Sequence, residues 1–391
     1  MNNSSDPSDS LVYSSTSSVV VNQTWQGVTC SHTPKQCSTQ ICHVTGLLLA
    51  SHQLSGPIPS TISGLSALQS LHLDDNHVTG QIPAEIADLA SLESLSFYVN
   101  ALTGTIPPEL GQLKNLTLLA LDVNLFTGTI PIEICNLSKL AYMYIGQSFI
   151  TGTIPSEIGK LTSLEELTFH STDLTGIIPN EVGKLTLLQE LTFYENSLTG
   201  TLPSEVGLLT SLELMSFSIN YLTGTIPPSL GNLHNIGLFF FYRNMVTGTI
   251  PTSLGKLTAV EVIDFSDAKL TGTIPNELFD LTKLKELALY SNYLSGTISD
   301  SIGQLVLLDE LHLQDNMLEG TLPSTISQMR NIKSIFLRNN RLVGELNVFD
   351  YTSQTMLATI DVSNNRLTGS ISADTFMLPH LHVLSLSGEK T

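Results

Sequence analysis

Nine side chains suited to recognition chemistry fall into two columns whose members recur at the interval separating Tyr98 from Asp122, or at multiples of it. Tyr98, Asp122, His170, Tyr194, Tyr242 and Tyr290 form one column; Tyr144, Phe240 and Asp264 form another, two positions earlier in the repeat. Tyrosine offers a broad apolar ring with a polar tip, and such side chains anchor peptide and protein interfaces. The same aromatics also suit strands and stack along a ladder with no partner at all. Catalytic chemistry has less to stand on. The 10 histidines are scattered, and none pairs with a cysteine or carboxylate at metal-ligand spacing. His170 with Glu165 and Glu166 comes nearest to a constellation, yet it supplies no nucleophile and no acid–base pair. There is no phosphate-cradling glycine loop and no kinase signature. No enzymatic activity, cofactor or metal is expected.

Two further columns accompany these. Glu93, Glu165, Glu166, Glu190, Glu213, Glu261, Glu286, Asp309 and Glu310 make an acidic margin ten or eleven positions before a recurring glycine. It is either a solvated polar edge or a field that steers a basic partner. Threonines follow the glycine at Thr105, Thr129, Thr153, Thr201, Thr225, Thr249 and Thr273, each within a Thr-Gly-Thr triplet, and Ile177 interrupts them. Threonine is a good residue for a short strand. A flat array of its hydroxyls and methyls at ~4.8 Å spacing also resembles the surface of solenoid ice-binding proteins. Ice binding is therefore the alternative reading.

What must position these columns is an internal repeat. Glycine stands at every twenty-fourth position from Gly56 to Gly344, and Gly369 follows one position late. A fixed period of this length means a stacked array in which each unit covers its neighbour's apolar face. The unit reads L-x-x-L-x-x-L-x-L-x-x-N-x-L-T-G-x-I-P-x-x-L-G-x. Its L-x-L portion alternates as a half-buried strand does. The asparagine recurs at Asn76, Asn100, Asn124, Asn196, Asn220, Asn244, Asn292, Asn316, Asn340 and Asn365. A buried amide there can bond the backbone of adjacent coils. Glycine relieves the turn, isoleucine plugs the core, and proline ends the local strand. The P-x-E-I/L-G-x-L tract supplies a short helical turn on the outer side.

The L-T-G-x-I-P tract resembles the plant-type leucine-rich repeat found in receptor-like kinase ectodomains, receptor-like proteins and polygalacturonase inhibitors. The resemblance runs from about Trp25 to the C-terminus. It implies an α/β solenoid: a right-handed superhelix with a parallel concave β-sheet, short second strands through T-G-x-I, and 3-10 or helical convex segments. It also implies a non-enzymatic scaffold that binds a peptide, a protein or a cell-wall component on its concave or lateral face, as an ectodomain or a secreted inhibitor. The stretch Trp25-Gln26-Gly27-Val28-Thr29-Cys30, followed by His43 to Leu47, resembles the family's N-terminal cap. The family's cysteine before the tryptophan is missing, so Cys30 is left to pair with Cys37 or Cys42. Cys135 stands where the repeat has glycine and reads as a small buried hydrophobe.

The chain exceeds the size of a single globular core, but a solenoid grows along one axis. The expected organisation is a disordered Ser-rich segment over 1–22, a cap over 23–46, and about 14 units over 47–391 without a clear C-terminal cap. Lys plus Arg is 16 and Asp plus Glu is 35, a formal charge of −19. That argues against nucleic acid and anionic membrane partners and for a basic one. No run reaches the ~20 apolar residues of a membrane span. The N-terminus lacks a signal-peptide pattern, and the last unit stops midway, so a fragment of a longer chain is expected. Sequons at Asn22, Asn115 and Asn136 fit an extracellular or cell-surface glycoprotein.

Overall fold

A computed structural model describes residues 27–31, 43–350, 352–368 and 373–387. The start of the chain through Gln26, along with Cys37 and Cys42, lies outside them, and with it the expectation of a disordered start and most of the cap. Contacts divide the chain into two units, Met1–Ile150 and Thr151–Thr391.

Most coils repeat one cycle: a short strand of the main sheet, a tight turn, a short lateral strand, and a 3-10 segment; the coil of Leu214–Ser216 has only an isolated Thr201–Thr223 bridge in the lateral position. In the first unit the strands Ser70–His72, Ser94–Ser96, Leu118–Ala120 and Tyr142–Tyr144 pair in parallel, Leu71 opposite Leu95 and Leu119 opposite Met143. Ahead of them Val28–Cys30 pairs antiparallel with Val44–Leu48, which covers the edge of the first coil. In the second unit the same parallel register runs from Glu166–Thr168 through Glu190–Thr192, Leu214–Ser216, Leu238–Phe240, Val262–Asp264, Glu286–Ala288 and Glu310–His312. It continues to Ser334–Phe336, Thr359–Asp361 and Val383–Ser385. The stacked, parallel leucine-rich array expected from the period is what the chain builds.

The core is a set of repeated apolar files. The leucines of the strand and of the 3-10 segment are almost wholly buried. In the second unit a phenylalanine file joins them. Phe169 and Phe193 stack with ring centroids 5.5 Å apart, while Phe193–Phe217 and Phe217–Phe241 meet edge-on. Most 3-10 segments begin after proline, which lacks an amide hydrogen to waste, and bury an aliphatic such as Ile158 or Leu254; Asp300–Gln304 instead follows Ser299, whose hydroxyl accepts the Ser301 amide.

The asparagine column behaves as its spacing implies. The Asn220 side chain donates to the carbonyls of Phe193, on the preceding coil, and of Phe217, and accepts the Leu198 amide. Asn244 and Asn316 repeat the pattern. The residue just before each asparagine is left-handed: φ is 53° at Val99, 56° at Val123 and 56° at Ile219. β-Branched side chains fit this region badly, whereas asparagine tolerates it. Ile219→Asn is therefore expected to stabilise the chain by about 1 kcal/mol. A urea-unfolding midpoint that moves upward supports this, and one that falls contradicts it.

Candidate ligand-binding face

The exposed face of the main sheet carries the two columns of recognition residues. Tyr98 is 47% exposed. Tyr144, His170, Tyr194, Phe240, Tyr242 and Tyr290 are half-buried. None of these rings is tucked into the core. Between the tyrosines of the second unit stand Ser218 and Ser266, both fully buried. The register thus gives Tyr194, Tyr242 and Tyr290 on alternate coils, with a small residue under each gap. Neighbouring groups reach one another: burial first, then the Asp264 carboxylate, push the Tyr242 phenol up. Tyr290 and Tyr194 add to this, and Arg243 opposes it.

His170 does not serve as an acid–base partner of a carboxylate on its own strand. Its ring stacks on Tyr194 with centroids 4.8 Å apart and planes 5° from parallel. Burial lowers its pKa, with Glu195 opposing. Asp264 is held by its own coil, accepting the Ser266 amide at 2.9 Å and hydroxyl at 2.6 Å. Part of the acidic margin is neutralised: Lys285 lies 2.6 Å from Glu261 and Lys333 lies 2.7 Å from Asp309. Such exposed pairs add little stability. They do narrow the acidic field to the remaining carboxylates.

Asp122 differs from the rest. It is 6% exposed, and its Oδ1 has no hydrogen-bond partner among the described residues. Desolvation raises its pKa to about 6, with the amides of Gly146 and of Asp122 itself offsetting part of the rise.

The threonine column has an internal structural reason. Turn glycines such as Gly224 and Gly248 hold φ near 78°. A Cβ on Gly224 would come within 2.6 Å of the Thr201 γ-methyl, and one on Gly200 within 2.7 Å of the same methyl of Ile177. A γ-methyl, from threonine or from Ile177, thus lies over the next coil's glycine and leaves no room for a side chain there; Gln81 and Pro57 take the same place over Gly104 and Gly80. Thr105, Thr153, Thr225, Thr249 and Thr273 cover glycines in the same way. Thr129 occupies the equivalent exposed position. The threonine before the glycine is also engaged: Thr199 donates to the Gly176 carbonyl at 3.2 Å and Thr223 to that of Gly200 at 3.1 Å. Packing between coils accounts for the ladder without an external lattice.

Two features escaped the sequence reading. Leu125, Phe149, Tyr221, Met245 and Tyr293, which share one position shortly before the glycine, are 42–57% exposed and form an apolar flank in each unit. Their recurrence at multiples of the period was the available signal. Second, Glu286, Glu310 and His312 converge; the period places Glu286 opposite Glu310, though no local motif marks it. Of the remaining candidates, Cys30 is half-buried and its thiol is pushed up by burial; its expected partners Cys37 and Cys42, like Asn22, lie outside the described residues. Cys135 is fully buried. The Asn115 side chain donates to the Ala90 carbonyl, and Asn136 is exposed. No described helix is long and apolar enough to cross a membrane.

The Asp122 environment makes a test. A carboxyl whose folded-state pKa lies above its unfolded value leaves the native state holding more protons. Its destabilising effect is therefore absent below the unfolded pKa, sets in as pH rises from 4 to 6, and is complete above that. Asp122→Asn is expected to raise unfolding free energy by about 1–3 kcal/mol at pH 7.5 and to change it little at pH 4. Equal effects at both pH values, measured by urea unfolding, would contradict the assignment.

Comparison with known proteins agrees with this geometry. Family models described as "Leucine-rich repeat region" and "Leucine Rich Repeat" match residues 99–198 and residues 67–89, 211–233, 283–305 and 307–329. Comparison with curated proteins gives no match. Among solved structures, the plant peptide hormone receptor RGFR1 in complex with RGF2 is 33% identical with a TM-score of 0.80, over 85% of this chain and 57% of that one. The chain thus spans a little over half the length of that receptor structure. The Arabidopsis receptor kinase HAESA, in complex with the peptide hormone IDA and the co-receptor SERK1, is 32% identical with a TM-score of 0.79. That likeness covers 98% of this chain and 67% of HAESA's. A Leptospira interrogans leucine-rich repeat protein is 28% identical with a TM-score of 0.62, over 87% of this chain and 88% of that one. With the repeat, the asparagine ladder and the lateral strands already in view, the chain belongs to the plant-type leucine-rich repeat family.

Proposed function

We propose that this chain is a non-enzymatic ectodomain-like scaffold that binds an extended peptide along the main-sheet face, outside the cell. The observation that carries the reading is the spacing of Tyr194, Tyr242 and Tyr290 on alternate coils, with buried Ser218 and Ser266 between them. Two coils span roughly 9.6 Å. Three residues of a polyproline II chain span about 9.3 Å, and its side chains at i and i+3 point the same way. In a β-extended peptide the equivalent side chains recur at about 6.6 Å and miss every second tyrosine. Aromatic-lined grooves suit polyproline II ligands because these lose little entropy on binding. The acidic margin favours basic residues in the partner. Similarity to receptors solved with peptide hormones supports the same class of ligand.

Selection of binders from a displayed library of random dodecapeptides tests this. The expected winners carry prolines or apolar residues three apart and at least one Lys or Arg. Their affinity is expected to fall at least tenfold in the Tyr194→Ala, Tyr242→Ala double variant, with the circular dichroism spectrum unchanged. Winners that bind the double variant as tightly as the native chain contradict the reading. Loss of the folded spectrum would instead mark the tyrosines as structural.

A further inference from the structure

One group of donors on the main-sheet face joins two carboxylates of the acidic margin to a histidine. Glu286 and Glu310 stand directly opposite each other in the parallel ladder, as do Ala288 and His312. Like charges placed opposite one another on a sheet destabilise it. The small Ala288 also lies opposite Asp264 on its other side. Asp264 and His312 therefore lie two strands apart, with only a methyl group between them, and they feel each other's charge. His312 Nε2 is 2.9 Å from Glu310 Oε2. The imidazole is held in place: it stacks on Phe336 at 4.8 Å and lies 6.3 Å from the Tyr290 ring. One donor atom from each of Glu286, Glu310 and His312 falls within 4.8 Å of the other two. Two residues past His312, Gln314 keeps its Oε1 buried without a hydrogen-bond partner among the described residues.

We propose that Glu286, Glu310 and His312 form a binding site for a divalent transition-metal ion of the zinc class. An imidazole nitrogen with two carboxylates is a donor set that suits zinc, whereas calcium and magnesium take oxygen donors alone. Three protein ligands leave a fourth tetrahedral position for water. The ion would neutralise the two facing glutamates. The ladder register brings Glu286 beside Glu310, and the ring stack aims the imidazole, so little reorganisation is needed to close the ligand distances. The site stands on its own observations and does not depend on the peptide reading.

Calorimetric titration of the full, tag-free chain with zinc chloride at pH 7.5 tests it. The expected result is one zinc per chain with affinity lowered at least tenfold in His312→Gln and in Glu286→Gln, while calcium gives no comparable binding. Cobalt substituted for zinc is expected to show a d–d spectrum without thiolate charge-transfer bands, which separates this site from the cysteines. Circular dichroism checks that both variants are folded; if His312→Gln is not, Glu286→Gln decides. No zinc binding, binding unchanged in the folded variants, thiolate bands on all the bound cobalt, or equal affinity for calcium would each overturn the proposal.

Discussion

The asparagine amide inside most of the turns is the constraint on which the rest of the array depends. A coil that completes one circuit per repeat must reverse direction several times, and each reversal leaves backbone donors and acceptors pointing inward, where nothing but another coil can satisfy them. One primary amide meets this need in both directions. Asn220 donates to the preceding coil at Phe193 and to its own coil at Phe217, and its oxygen takes the amide of Leu198. Because these bonds tie adjacent coils at fixed residue offsets, they also fix the register of the sheet. The left-handed residue before the asparagine and the positive-φ glycine after it are consequences of the same turn. Where the amide is replaced, Thr172 donates its hydroxyl to Asn196 Oδ1 at 2.5 Å and Ser148 donates to the Asn124 backbone carbonyl at 3.3 Å, whereas Ala268 offers no side-chain group.

Fixed register turns sequence columns into physical stripes, and the stripes fall into two kinds. Some are consumed by stacking. The threonines after the glycine lend a methyl to the next coil, and Ile177 serves equally well there. Others leave the fold worse off than it needs to be. Asp122 keeps a buried carboxyl oxygen without a partner among the described residues, as Ser218 keeps a hydroxyl and Gln314 a carbonyl. Glu286 faces Glu310 across the ladder. Unsatisfied or repelling groups gathered on one face of an otherwise regular array are what a binding surface looks like before its partner arrives.

How much of this could be read beforehand follows from where each interaction lies. The strands, the turn and the 3-10 segments each sit within one period, so a single unit's template reveals them, and the asparagine bonds between coils follow once units are stacked. The phenylalanine file and the tyrosine column needed only the assumption of stacking. Asp122 reads as an open surface residue from alternation along one strand, which does not weigh what adjacent coils cover, yet it is 6% exposed. Glu165 and Glu166, nearby in sequence, offer His170 no acid–base pair, and its flat contact is with Tyr194, a coil away. In the Glu286, Glu310 and His312 group only Glu310 and His312 share a strand; Glu286 joins them from the neighbouring coil, and no motif spans the three. The exposed flank of Leu125, Phe149, Tyr221, Met245 and Tyr293 hid in positions that other coils fill with polar residues such as Asp173, Ser197 and Lys269.

The most direct test of the account is the cost of removing one ladder amide. In Asn220→Ala the Leu198 amide loses its partner inside the stack, while the Phe193 and Phe217 carbonyls each lose one amide donor and keep Asn196 and Asn244 respectively. Urea unfolding is predicted to show a loss of about 3 kcal/mol, with hydrogen exchange at Leu198 accelerated. A loss below about 0.5 kcal/mol, the level of an ordinary surface substitution, together with unchanged protection at Leu198, would show that coil register is held by something other than this amide.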